Sequence, residues 1–398
     1  MRSVAAAAPA PIRVEELTER SAFAALERDW EALRRRVGAR GPFFSTRWMA
    51  VTAAAIAPRA LRLLVAHRGG ELAGVVPLME ERRRIGGVPA RVLRSLSDDH
   101  SQRFDAILDG DEAARAIVGH LVGRGGWDVV ELRDVPLESD SDAEAGAARL
   151  ERAAEERRLP TGRWESMRSP RLALPARVEE LDKLLDAKFR ANVRRRARKL
   201  EADVGPIALE RVDGSAGRAA IDEALADGFA LEAAGWKGEA GAGTAIACDP
   251  RLGGRYRALA HAFARDGRSR TRDGDGDGLA LYFLRVGAAR RAFHYALVED
   301  RVYYLFKPGY DPAFAAYGLG HLLVDRVARD LIRRGVRELD FLGDAMEWKR
   351  EWTAVERPHA WRYLFAPTAF GRALAAWKLR IGPRLKAIAA GARRRGPR

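Results

Sequence analysis

Between residues 303 and 349 the chain brings two kinds of chemistry close together. Tyr317-Gly318-Leu319-Gly320-His321 sets two glycines in what reads as the first turn of a helix. A helix N-terminus offers unpaired N–H groups and the positive end of its dipole. Glycine lets a ligand approach them closely, which suits a phosphate or diphosphate. His321 would stand within reach of that phosphate. Further on, L-D-F-L-G-D and E-W-K-R put Asp340 at a strand end and Lys349 beyond a tight turn. A carboxylate there can accept a proton or orient an amine, and a lysine can stabilise a developing oxyanion. Taken singly, each feature also reads as an ordinary cap or a surface charge. Their order (strand, Gly/Pro loop, helix, strand) is what makes a phosphate cradle and points to a nucleotide- or phosphate-tailed donor.

The elements that must hold these residues follow from periodicity. Three strand-like runs, L-A-L-Y-F-L-R-V, A-F-H-Y-A-L-V and V-Y-Y-L-F-K, are joined by connectors of hairpin length. A helix over 318–334 and the strand E-L-D-F-L come next, giving a βαβ crossover. Ahead of them, Leu181, Leu185, Phe189, Val193, Ala197 and Leu200 recur every three or four residues. They predict one helix over 178–202 with its arginines facing out. Residues 12–140 show a similar hairpin-first order, with strand-like runs that include R-F-D-A-I-L and helices near 22–37 and 112–123. W-R-Y-L-F-A closes the second unit. The expected fold class is α+β, a mixed sheet with flanking helices. The expected division is 12–163, 164–367 and a basic helix and tail over 368–398.

At 398 residues and 47% hydrophobic, the chain has ample material for buried cores. Its formal charge is +15, and two acid-free blocks account for the surplus: 188–199 with 7 basic residues and 372–398 with 9. Such blocks suit nucleic acid, anionic lipid or a polyanionic donor, or are solvated helix faces. Cys248 is the sole cysteine, so an intrachain disulfide and a cysteine-based metal site are excluded. The seven histidines lack metal-ligand spacing, and no metal is expected. Asp273, Asp275, Asp277 and Gly278 open like a calcium loop. The twelfth position is Leu284, where calcium needs a bidentate Glu, so that reading is rejected. Nucleophile-elbow, Walker and dinucleotide fingerprints are missing. No signal peptide or membrane-length apolar run is evident, and the expected location is cytoplasmic, with peripheral membrane contact possible through the C-terminal segment.

The second unit resembles the CelD/BioF2-like acetyltransferase domain of the GNAT superfamily, akin to the Fem peptidyltransferases. The resemblance rests on F-R-A-N-V-R-R-R-A-R-K-L (189–200), G-W-K-G (235–238), Y-Y-L-F-K-P-G-Y-D (303–311), Y-G-L-G-H-L-L (317–323), L-D-F-L-G-D (339–344) and W-K (348–349). F-F-S-T-R-W (43–48), G-V-V-P-L (74–78) and W-D-V-V-E-L (127–132) extend it through the first unit. It implies a duplicated GNAT-like fold and transfer of an acyl group from acyl-CoA to an amine on a small molecule or polymer precursor. Through the family's name, it implies a link to cellulose or exopolysaccharide production. The diphosphate of acyl-CoA would rest on Tyr317, Gly318, Leu319, Gly320 and His321. The strand over 302–307 would offer a backbone N–H to the thioester carbonyl. The superfamily's Q/R-x-x-G-x-G/A signature is kept except at its first position, here Ala315. In this reading Asp340, or a water beside Glu299 or Tyr304, takes the proton, and Lys349 assists the oxyanion. Two rivals stay open: a Fem-like aminoacyltransferase using aminoacyl-tRNA held by the basic block 194–199, and a non-catalytic binder of anionic surfaces.

Overall fold

The structure, a computed structural model, describes residues 10–56, 60–138, 145–235, 237–238, 241–264 and 277–382. Asp273 and Asp275 of the rejected calcium loop, Trp236 of G-W-K-G, most of the small polar loop near 138–147 and the tail beyond 382 lie outside them. The chain forms two compact units, residues 1–166 with 358–398, and residues 167–357.

The first unit opens with β1 (Ile12–Leu17), α1 (Ser21–Val37), α2 (Thr46–Ile56) and three antiparallel strands: β2 (Leu61–Arg68), β3 (Glu71–Ile85) and β4 (Val88–Ser95). The two-residue strand β5 (Ile107–Leu108), α3 (Asp111–Arg124), β6 (Val129–Pro136) and α4 (Gly146–Glu156) follow. β6 runs parallel to β4, pairing Val92 with Val129 and Leu93 with Val130. R-F-D-A-I-L, expected as a full strand, keeps only its last two residues extended in the ladder. The side chain of Asp105 turns to the backbone N–H groups of Ala106, Gly146 and Ala147 and so starts α4.

β7 (Thr161–Ala173) leads into the second unit. The sequence gives little warning of it, because its residues are mainly polar and Pro170 lies within it. α5 (Val178–Leu184) and α6 (Ala187–Asp203) replace the single helix expected over 178–202. Leu185 is extended, and the Asp186 carboxylate accepts the Phe189 N–H, so a new N-cap overrides the continuous apolar period. The stripe itself is real: Leu181, Leu185, Val193 and Leu200 are buried in one core, with Phe189 and Ala197 packed against it. Next come β8 (Ile207–Asp213), α7 (Arg218–Ala234), α8 (Pro250–Phe263) and the antiparallel strands β9 (Gly278–Val286), β10 (Ala289–Glu299) and β11 (Val302–Tyr310). α9 (Leu319–Arg333), β12 (Glu338–Asp340) and α10 (Glu347–Arg350) complete this unit.

The β10–β11 hairpin turns through Asp300 and Arg301, both at positive φ, as a two-residue turn matched to strand twist requires. α9 buries Leu319, Leu322, Leu323, Val327 and Leu331 at three- and four-residue spacing against the strands. β13 (Glu356–Phe365), α11 (Ala369–Ala376) and a π-helical turn (Trp377–Ile381) end the described chain. W-R-Y-L-F-A lies in β13, which pairs with β6, so this segment belongs to the first unit rather than closing the second. Each unit is thus a mixed sheet with flanking helices, the α+β class expected.

Candidate active site

The second unit contains a place where two parallel strands part. β11 and β12 pair only from Val302–Glu338 to Tyr304–Asp340. Beyond Asp340 the chain turns aside: the Phe341 N–H donates to the Pro170 carbonyl at 3.0 Å, and Leu342 takes a positive φ. β11 continues to Tyr310 without a partner from β12. Its pairing with β10 also slips, from Ala296↔Leu305 to Tyr295↔Lys307, so Phe306 is an extra residue and β11 bulges there. A bulge leaves backbone groups out of the ladder and bends the strand. A polar-edged gap results, with the bulge on one flank and the 341–346 loop on the other.

α9 begins at this gap. Gly318, its N-cap, has φ 64°, a conformation that a side chain resists. The N–H groups of His321 and Leu322 turn back to the Gly318 carbonyl, while those of Leu319 and Gly320 head the helix, where no intrahelical acceptor exists. A Cβ on Gly320 would meet nothing nearer than the Tyr310 ring at 4.0 Å, so the approach to this turn is open. A Cβ on Gly318 would fall 2.6 Å from Nη1 of Arg196, which places that guanidinium against the turn. Lys199, further along α6, lies over the Tyr317 ring, and the Tyr317 hydroxyl donates to Asp203 at 3.0 Å. The Leu319 side chain is fully buried, leaving only its amide for a ligand.

His321 supports this turn from behind. The Trp352 indole N–H donates to Nδ1 at 3.2 Å, and Nε2 faces Glu351 at 3.1 Å. An indole only donates, so Nδ1 carries no proton and the ring is neutral with Nε2–H. Burial holds its pKa below the ordinary value, opposed by Glu351 and reinforced by Arg196. Phe189 meets both rings edge-on, at 5.3 and 5.0 Å.

Asp340 is fully buried, and Oδ2 binds Nη1 of Arg357 at 2.6 Å. Its other oxygen accepts the Leu342 N–H at 2.9 Å, fixing the turn after β12. A carboxylate so held is a poor base, because protonation would strand the arginine in the interior. Lys349 is also buried. Nζ donates to the Leu342 carbonyl and, at 2.9 Å, to that of Asp344, so it laces the 341–346 loop to α10. Burial draws its pKa down to about 8 against the pull of Asp340 and Asp344. Tyr304 is buried at the last β11–β12 pair, on the face opposite Tyr303 by strand alternation. Glu299 is not brought to the gap. It precedes the β10–β11 turn, separated from the bulge by the length of the paired part of β11.

Sequence reasoning missed a cluster beside the bulge. Glu232, in the last turn of α7, has a fully buried carboxylate. Its Oε2 accepts the Ile246 N–H at 2.9 Å, and its Oε1 stands 3.4 Å from Lys237 Nζ and 3.9 Å from Lys307 Nζ. One signal was available, since an acid in a helix's final turn opposes the dipole and calls for a partner. Arg196 was hidden among the similar arginines of its block.

The first unit has the same strand–helix–parallel strand order in β4, α3 and β6. There the helix begins with Asp111 and Glu112, and Arg149 and Arg152 hold the Asp111 carboxylate ionised. Acids in a first turn disfavour an anion at that helix end, which sets α3 apart from the glycine turn of α9.

Residues 187–350 match a family model described as acetyltransferase (GNAT) domain. The match spans α6 to α10, the segment that builds the gap and the glycine turn. The chain is an acyltransferase, and this domain is of the GNAT type. No curated protein matches the chain. Among solved structures, a conserved protein of unknown function from Bacteroides thetaiotaomicron VPI-5482 is 11% identical, covering 89% of this chain and 99% of its own, with a TM-score of 0.54. FemX is 12% identical, with 88% and 97% covered and a TM-score of 0.54. The C-terminal domain (DUF2156) of a putative lysylphosphatidylglycerol synthetase from Agrobacterium fabrum is 9% identical, with 88% and 95% covered and a TM-score of 0.50. At these identities the likeness is one of fold. Among the described residues no group of three His, Cys, Asp or Glu is placed to hold a metal ion, and no helix is long and apolar enough to cross a membrane.

Proposed function

We propose that this protein transfers an acyl group from acyl-CoA to an amine, using the gap between β11 and β12. The observation that carries the reading is the coincidence of three features at one place. They are parallel strands that part after Tyr304 and Asp340, a bulge at Phe306 on the open edge, and the glycine turn of α9 at its base. The turn's amides and Arg196 offer a diphosphate two kinds of positive charge. A slender acylated arm fits between the strands, where its carbonyl meets amides released by the bulge. Such donors, fixed before reaction, stabilise charge developing on that oxygen. Asp340 and Lys349 then act as positioning residues: one fixes the strand end, the other the loop that forms the second flank. Tyr304 borders the site, and Glu299 takes no part.

The CelD/BioF2-like kinship, with its suggested place in polymer or envelope synthesis, is supported by the order of motifs along both units. A second donor class, aminoacyl-tRNA, is favoured by one observation. Lys188, Arg195 and Arg198 are exposed on α6, the helix that also sends Arg196 to the glycine turn. Thermal unfolding with acetyl-CoA, and separately with tRNA, decides between them. A melting rise with acetyl-CoA supports the first reading by mass action. A tRNA response that fades steeply with salt, without one to acetyl-CoA, replaces it with the second.

A further inference from the structure

The bulge on β11 does more than release amides. Across the hairpin, Lys307 pairs with Tyr295, whose ring meets Tyr256 of α8 edge-on at 5.1 Å. Lys307 Nζ lies 5.6 Å from the centre of that same Tyr256 ring. Without the extra residue, alternation would put Lys307 on the face of Leu305, inside the core against α9. The irregularity therefore delivers a cation to the α7–α8 face, three residues beyond the last β11–β12 pair.

The partner for that cation is fixed in advance. Gly309 passes so close to α7 that a Cβ there would fall 2.7 Å from both Cα and N of Glu232. This contact locks the Glu232 backbone over the open half of β11, and the Ile246 N–H locks Oε2. Oε1 remains directed at Lys237 and Lys307, which converge on it from two sides. Both lysines stay reachable, with 22% and 12% of their side chains exposed. Lys237 also stands near enough to Lys349 for its charge to be felt there, and Lys349 is tied to the loop beyond β12. The cluster thus reaches from one flank of the gap towards the other.

We propose that Glu232, Lys237 and Lys307 form the acceptor subsite, and that the acceptor is an amine bearing a nearby carboxylate, as in an amino acid. This rests on the acyl-transfer reading above. Two ammonium groups converging on one point match the two oxygens of a carboxylate. The Glu232 carboxylate matches the acceptor's ammonium, so a zwitterion enters by exchanging ion pairs without leaving a charge unpaired. Glu232 takes one proton from the ammonium. The freed amine forms its N–C bond to the thioester carbonyl, the C–S bond breaks, and the departing thiolate takes the second proton. The products are an N-acyl amino-carboxylate, free CoA thiol and one proton passed from Glu232 to solvent.

The test offers acetyl-CoA with matched pairs of amines, each amino acid beside its carboxamide, and follows thiol release together with calorimetric binding of each amine. The expected result is at least a 10-fold preference in kcat/KM or Kd for the carboxylate-bearing member of one or more pairs. Lys307→Gln and Lys237→Gln should each reduce it to below 3-fold, and Lys307→Arg should retain it. Glu232→Gln should lower turnover at least 100-fold while carboxylate preference in binding persists. Equal responses within every pair, or none from any amine, overturn the subsite. So does a preference that survives both lysine variants. The acetyl-CoA melting shift, read in the same samples, reports the donor site separately. If it persists while amine preference is absent, the subsite has failed and the donor reading stands.

Discussion

Arg357 and Asp340 form a buried ion pair, 2.6 Å from Nη1 to Oδ2, at the point where β12 stops. Nη2 of the same guanidinium lies 3.3 Å from Glu338, two residues earlier in the strand, and Arg171 reaches that carboxylate's other oxygen. The pair sets where the strand ends and hence where the gap starts.

Removing the arginine alone leaves a carboxylate in the interior, at a cost of about 3–5 kcal/mol. Arg357→Met should lower the urea midpoint accordingly. Adding Asp340→Asn, which keeps an acceptor for the Leu342 N–H, should recover much of the loss. An unchanged midpoint in the single variant would show that the pair contributes nothing to stability.

Gly320→Asp puts a negative charge into open space at the head of α9. Little steric cost is expected, because the nearest atom to a new Cβ is 4.0 Å away, on the Tyr310 ring. The melting temperature without ligand should change by less than about 2 °C, consistent with a surface substitution. The stabilisation by acetyl-CoA should disappear. Arg196→Ala should weaken the same response by about 10-fold in Kd, in line with loss of one charge-assisted contact.

Proton linkage of His321 gives a signed prediction. Its folded-state pKa lies below the ordinary 6.5, so the unfolded chain binds the proton first as pH falls. The contribution is complete above pH 6.5 and is lost progressively below it, down to the folded-state value. Compared with His321→Gln, the wild type should lose stability faster on acidification from pH 7. Parallel pH–stability curves for the two proteins would refute this.

Lys349 gives a second window of the same sign, at higher pH. Its pKa of about 8 lies below the ordinary 10.5, so between those values the unfolded chain holds more proton and stability rises with pH. Lys349→Met should flatten that rise. It also unlaces the 341–346 loop, and turnover should fall at least 10-fold with a smaller change in acetyl-CoA affinity.

Periodicity and Gly/Pro punctuation sufficed to mark the α9 turn, the three-strand meander and the buried stripe of α5 and α6. Local signals of that kind act over a few residues. What escaped was set by partners distant in sequence. Asp340 looks like a free strand-end acid until Arg357 arrives from β13. Glu299 looks like a site residue until the β10–β11 register pairs it with Val302, away from the Phe306 bulge. Lys307 looks like a core-facing or edge residue until Phe306 adds its half-turn. β7 hid for a related reason, since its mainly polar residues carry no clear alternation of their own.

The acids at the head of α3 have a consequence for counting. Two similar halves suggest two occupants, but α3 opens with Asp111 and Glu112, which disfavour an anion at its head. Calorimetric titration should therefore saturate at a single equivalent of donor per chain. On the proposed reading, one equivalent would mark the glycine-headed half as the receiving one, and two would show that the acidic helix end of the other half is no barrier.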